Sequence, residues 1–152
     1  RPRSGQRPCP CGDGCLTIAP LRATDAAMMM TFLQVALGGA IGSCLRFGVG
    51  LMMLRVTGPG FPLGVLTVNV LGSFLMGVIM VLSFQRGFGH LNPFLMTGVL
   101  GGFTTFSAFS LEAFTLYERG QIVAAAVYIG LSVGLSLAAL ALGVWLARGM
   151  AA

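Results

Sequence analysis

An all-α membrane protein with four transmembrane helices is the fold class this sequence predicts, and three observations carry it. Hydrophobic residues fill 56% of the 152 positions and charged residues only 9%, against roughly 25% charged in ordinary soluble domains. A soluble chain of this size could not cover its surface with so few charges. The mean hydropathy is +0.91. Beyond Met28 the apolar residues fall into four segments, each reaching the roughly 20 residues that span a bilayer as a helix, joined by the short connections RVTGPGF, QRGFGH and YERG.

The first helix is expected over about 31–54, with Arg46 near its far end, and the second over 63–84, without a charge. The third is expected over about 91–117, uncharged from Leu91 to Leu111, and the fourth over 121–147. Together they make one domain, 28–152, with both termini on one side of the membrane. Residues 1–27 differ in kind: they hold four of the nine arginines and three prolines before residue 11. They are expected to be a non-native or disordered extension, with synthesis beginning at Met28, Met29 or Met30. Cys9, Cys11 and Cys15 are crowded within it, but a structural zinc site needs four ligands at paired spacings and no fourth is evident.

The formal charge of +5 comes from arginines scattered singly, with no lysine. A nucleic-acid partner is therefore excluded, since that function needs a basic patch. The same arginines bear on orientation. Arg86 and Arg148 fall on the terminus side, Arg55 and Arg119 on the other, with Arg46 close by. Membrane topology follows Lys/Arg bias across short loops, and a balance this even permits insertion both ways. An antiparallel pair of identical chains is expected, and two-fold closure would complete what is only half of an inverted-repeat membrane fold.

The third segment carries the least ordinary pattern, GVLGGFTTFSAFSLEAF from Gly98 to Phe114. Gly101-Gly102 and Thr104-Thr105 are poor helix formers placed in mid-membrane, so a helix broken at Gly101–Thr104 is expected. Unwound carbonyls and half-helix ends are a known means of holding ions near the midplane; a kinked continuous helix with Ser/Thr bonding back to its own carbonyls is the plainer alternative. Phe106 and Phe109 share a face beyond the break. Asn69 sits in the uncharged second segment, where a buried amide must find a partner, and Tyr128, Ser132 and Ser136 form a polar stripe on the fourth. Amide and hydroxyl donors with electropositive ring edges suit a small, strongly hydrated anion. The GxxxG pairs Gly38/Gly42, Gly98/Gly102 and Gly130/Gly134 predict close helix contacts. Segment centres hold no Asp, Glu, Lys or Arg, which disfavours a proton-coupled pump, and nothing suggests an enzyme's nucleophile–base pair.

GGAIGSCLRF (Gly38–Phe47), GVLTVNVLGSFLMG (Gly64–Gly77) and GVLGGFTTFSAFSLE (Gly98–Glu112) closely resemble the fluoride-specific ion channel family called Fluc or CrcB. The resemblance covers about Met30 to Ala147. It implies a passive fluoride channel in a bacterial inner membrane, built as a dual-topology homodimer with two fluoride pores and a structural sodium ion at the dimer centre. By that likeness the carbonyls of Gly101 and Thr104 would hold the sodium. Asn69, Phe106, Phe109, Ser107, Ser110, Tyr128 and Ser132 would line or shape the fluoride path. Arg46 would match the family's vestibule arginine, and Glu112 its acid after the phenylalanines. One departure is Val65, where the family usually has Thr, removing a hydrogen bond from that position to Asn69. The alternative function is a small dual-topology multidrug or cation exporter. That would need a carboxylate embedded in the first helix, and 31–54 contains none.

Overall fold

A computed structural model describes residues 21–58 and 61–150; the cysteine cluster and most of the N-terminal extension lie outside them. Four spans run in chain order. Helix α1 covers Leu21–Thr57 and α2 covers Leu63–Arg86. The third span, Phe88–Glu118, opens with a 3-10 turn at Phe88–Leu91 and a π-helical stretch at Pro93–Leu100. A single α-turn, α3 (Gly101–Phe103), follows, and α4 (Phe106–Glu118) restarts after two non-helical residues. Helix α5, Ile122–Met150, closes the bundle. All four spans are long and apolar enough to cross a membrane.

Helix α1 begins ten residues earlier than the apolar pattern marks, at Leu21 rather than Thr31. The segment LRATDAAMMM is rich in strong helix formers, and propensity extends the helix past the hydrophobic boundary. Its 37 residues rise about 55 Å, more than the roughly 30 Å of hydrocarbon it must cross. At the other side, α2 ends on Gly87, whose φ of 71° is the left-handed cap that glycine supplies best. The Ser83 hydroxyl donates to Asn92 Oδ1 at 2.6 Å and ties that end to the start of the third span.

Two helix pairs hold the bundle, and both close on small residues. Gly38 and Gly42 of α1 meet Gly98, Val99 and Phe103 of the third span so closely that a Cβ built on Gly98 would lie 2.9 Å from the Gly38 Cα. Helix α2 packs along α5, with Gly77 against Leu140 and Val144 and Gly143 against Phe74. In lipid no hydrophobic force drives helices together, so such backbone approach supplies the packing. The third expected pair, Gly130/Gly134, faces open space: a Cβ built on either would meet no other part of the described residues within 4 Å. Spacing marked those glycines as small but could not say which helix face they lie on. Phe32, Phe47, Leu137 and Trp145 are among many large apolar side chains facing outward, a surface that water would not tolerate and lipid does.

The core lies between α4 and α5, where Phe109, Ala113, Leu116, Ala125 and Tyr128 cluster beneath Phe61, Val65 and Leu66. It sits directly beside the break in the third span.

Candidate functional site

The break falls at Thr104 and Thr105, at the far end of the expected Gly101–Thr104 stretch and not at its glycines. Gly101 is still helical, with φ −64° and ψ −36°, and the chain leaves the helix at Thr104 (ψ 154°) and Thr105 (φ −152°, ψ 122°). Glycine loosens a helix, but two adjacent β-branched residues favour the extended backbone outright. Thr104 closes α3 by returning both its N–H and its hydroxyl to the Leu100 carbonyl, each at 2.9 Å. Thr105 opens α4 as its N-cap, Oγ1 accepting the Ala108 N–H at 3.3 Å. The main chain of Thr105 is claimed by Asn69. Its N–H donates to Asn69 Oδ1 at 2.8 Å, and Asn69 Nδ2 donates to its carbonyl at 3.1 Å. In a continuous helix the Thr105 N–H would have bonded to the Gly101 carbonyl.

A cavity of about 390 Å³ opens along this break, lined by Asn69, Thr104, Thr105, Phe106, Phe109 and Ser132, with Ser136 further along. The Ser132 and Ser136 hydroxyls are buried and have no hydrogen-bond partner among the described residues. Orphaned polar atoms of this kind are rare in folded chains and call for an explanation. A ladder of rings runs away from the cavity. Phe106 and Phe109 centroids are 5.4 Å apart, Phe109 and Tyr128 5.5 Å, and Phe61 meets Tyr128 edge-on at 5.6 Å. Phe106 is 78% exposed while Phe109 is 8% exposed, so one ring lies on the outer surface of the chain and the other inside it.

A second cavity, about 400 Å³, lies toward the α1–α2 connection and is lined by Arg46, Arg119, Glu112, Thr115, Phe61 and Val65, among others. Glu112 is held there by the Tyr128 hydroxyl, which donates to its Oε2 at 2.7 Å.

The family model described as "CrcB-like protein, Camphor Resistance (CrcB)" matches residues 33–144. The chain belongs to the CrcB family. A protein of Ruegeria sp. (strain TM1040) named "Fluoride-specific ion channel FluC" is 64% identical over 124 residues, covering 81% of this chain and 98% of its own length. Proteins of the same name from Cereibacter sphaeroides (strain ATCC 17029 / ATH 2.4.9) and Rhizobium etli (strain CIAT 652) are 58% and 54% identical over 122 and 126 residues, covering 80% and 82% of this chain and 98% and 100% of theirs.

Within this CrcB chain the expected site residues divide into groups. Asn69, Thr104, Phe106, Phe109 and Ser132 share the first cavity, and Arg46 and Glu112 share the second. Tyr128 lines neither cavity: it is 0% exposed, and its hydroxyl proton is committed to Glu112. Ser107 and Ser110 are exposed and line neither cavity. Ser107 lies 3.2 Å from the Thr105 hydroxyl, and Ser110 donates back to the Phe106 carbonyl at 2.9 Å. Val65 packs into the Tyr128 core, and Asn69 takes its partners from Thr105 instead. Thr105 itself was missed as a site residue, although the Thr-Thr pair was the visible signal. For a cation the oxygens are main-chain ones: among the described residues no group of acids, cysteines and histidines could hold a metal. The Gly101 carbonyl, deprived of its helical donor, and that of Thr104, outside the helix, fit the oxygen coordination a hard cation takes. One chain offers too few for a full shell.

Proposed function

We propose that the chain is a transport protein and not an enzyme: a passive, fluoride-selective channel of the bacterial inner membrane that lets fluoride leave the cytoplasm. Two copies in opposite orientation would form the working unit, each break lying near its partner, with sodium held between them by the carbonyls of Gly101 and Thr104. The observation that carries the reading is the pair of buried, unpartnered hydroxyls of Ser132 and Ser136 in the cavity beside Asn69 and the phenylalanines. The relatives' name and the balanced arginines support it.

Fluoride gives up much of its hydration to enter a narrow path, and the protein must replace it with donors. Ser132 and Ser136 supply O–H groups. Asn69 supplies one N–H, the other being bound to the Thr105 carbonyl. The ring edges of Phe106 and Phe109 supply weaker positive potential. Arg46 and Arg119 give the second cavity a positive character that concentrates anions at the mouth. Purified protein in liposomes loaded with fluoride tests the proposal. Rapid release of fluoride, but not of chloride, is expected. Release of neither, or proton-driven exchange of an organic cation, would replace this reading with an assembly subunit or with the exporter.

A further inference from the structure

The polar groups of Thr105 show how the break is kept open. An extended residue in mid-membrane exposes an N–H and a C=O that lipid cannot satisfy. The Asn69 carboxamide offers an acceptor and a donor on one planar edge, the complement of a peptide group, and it bonds to both. One turn along α2, on the same face, Gly72 receives the other residue of the break: a Cβ there would run into Thr104 Cγ2 and lie 3.2 Å from Phe103 Cδ1. Helix α2 therefore grips both residues, Thr104 by shape and Thr105 by hydrogen bonds.

We infer that Asn69 is the positioning residue of the break. By binding the main chain of Thr105 it holds that residue extended and diverts from the Gly101 carbonyl its helical donor, leaving that oxygen for a cation. The cation half of the inference rests on the proposed channel; the clamp itself does not. The same side chain lines the cavity and keeps a second N–H, so the anion path and the cation carbonyls are joined through one amide. No other residue type fits both sides of the peptide without a change in length. Asp would accept from the N–H but oppose the carbonyl, and Ser cannot reach both atoms at once.

The test uses Asn69→Leu, which keeps volume and removes both bonds, with two readouts on the full-length protein. Amide hydrogen exchange over Thr104–Ala108 should accelerate about tenfold or more while the α2–α5 contact stays protected. The sodium concentration for half-maximal dimerisation should rise by at least about tenfold, a change that loss of a pore-lining donor alone would not cause. Should Asn69→Leu not fold, Asn69→Asp carries the test by the same two readouts. Loss of fluoride flux with exchange or sodium requirement unchanged would overturn the inference and leave Asn69 a lining donor only. So would parental dimerisation that ignores sodium. A parental chain that passes no fluoride is a failure of the channel reading alone, seen before any variant is made, and the exchange result would still stand.

Discussion

A single methyl group placed on either of two adjacent glycines should have opposite consequences. At Gly102 a new Cβ would lie 2.7 Å from the Gly39 carbonyl oxygen and 3.0 Å from its Cα. Both are backbone atoms of α1, which can move only if the whole helix crossing opens. Overpacking of this kind costs about 1–3 kcal/mol, and the upper part of that range applies. Replacing glycine in a helix returns up to about 1 kcal/mol, leaving Gly102→Ala destabilised by about 1–2 kcal/mol. At Gly101 a new Cβ would meet, among the described residues, the Met96 carbonyl at 3.6 Å, an ordinary contact. Gly101→Ala should therefore fold as stably as the parent or slightly more so. A thermal melt in detergent, followed by size exclusion, reads the difference: a drop of several degrees for Gly102→Ala, at about 2–4 °C per kcal/mol for a chain of this size, and none for Gly101→Ala. Equal losses at both sites would refute the packing on which this rests. Gly101→Val extends the comparison. Within one chain it has room, so its cost should fall on association and flux, and normal dimers with normal flux would remove Gly101 from the dimer centre.

Three further outcomes are expected. Ser132→Ala should leave the melting temperature unchanged or raised, because the hydroxyl is buried without a partner, while slowing fluoride release in liposomes at least about tenfold; unchanged release would place Ser132 off the path. Tyr128→Phe removes the 2.7 Å bond to Glu112, and a hydrogen bond to a charged group is worth about 1.5–3 kcal/mol, so a lower melting temperature should accompany any change in flux. Phe106→Ala should leave the fold of one chain nearly intact and Phe109→Ala should not, since the first ring is 78% and the second 8% exposed; a melt of both checks it. The control for these substitutions is Leu142→Ile on the exposed face of α5, because Leu140 lines the first cavity and packs against Gly77.

The four spans and a break in the third were legible from the chain itself, although the break opens at Thr104 and not at Gly101. Long uncharged runs can only be buried in lipid, and Gly101-Gly102 with Thr104-Thr105 interrupts one of them visibly. Spacing marked Gly38/Gly42 and Gly98/Gly102 as sites of close helix contact, but that these two pairs meet each other comes from the structure. Gly130/Gly134 has the same spacing, yet a Cβ on either would meet no other helix among the described residues, because period marks a face without saying what covers it. Asn69 was recognisable as a buried amide in need of a partner, but its partner is a main-chain group 36 residues away, and main-chain groups leave no mark in a sequence. Nor does the sequence show that the Tyr128 hydroxyl donates to the Glu112 carboxylate, 16 residues away. Within the described residues, helix α1 runs past its apolar stretch because helix propensity carries it beyond the hydropathy boundary.

The central claim is that fluoride crosses passively through this chain. Its most direct measurement is fluoride efflux from liposomes loaded with potassium fluoride into a medium of equal potassium concentration, recorded with a fluoride electrode before and after addition of a potassium ionophore. A conducting channel builds up a membrane potential that stops net efflux, so release should be slow at first and rise sharply once potassium supplies the countercharge, with chloride retained throughout. Fluoride release that ignores the ionophore and follows an imposed proton gradient would contradict a passive channel, and retention of fluoride under both conditions would contradict fluoride conduction altogether.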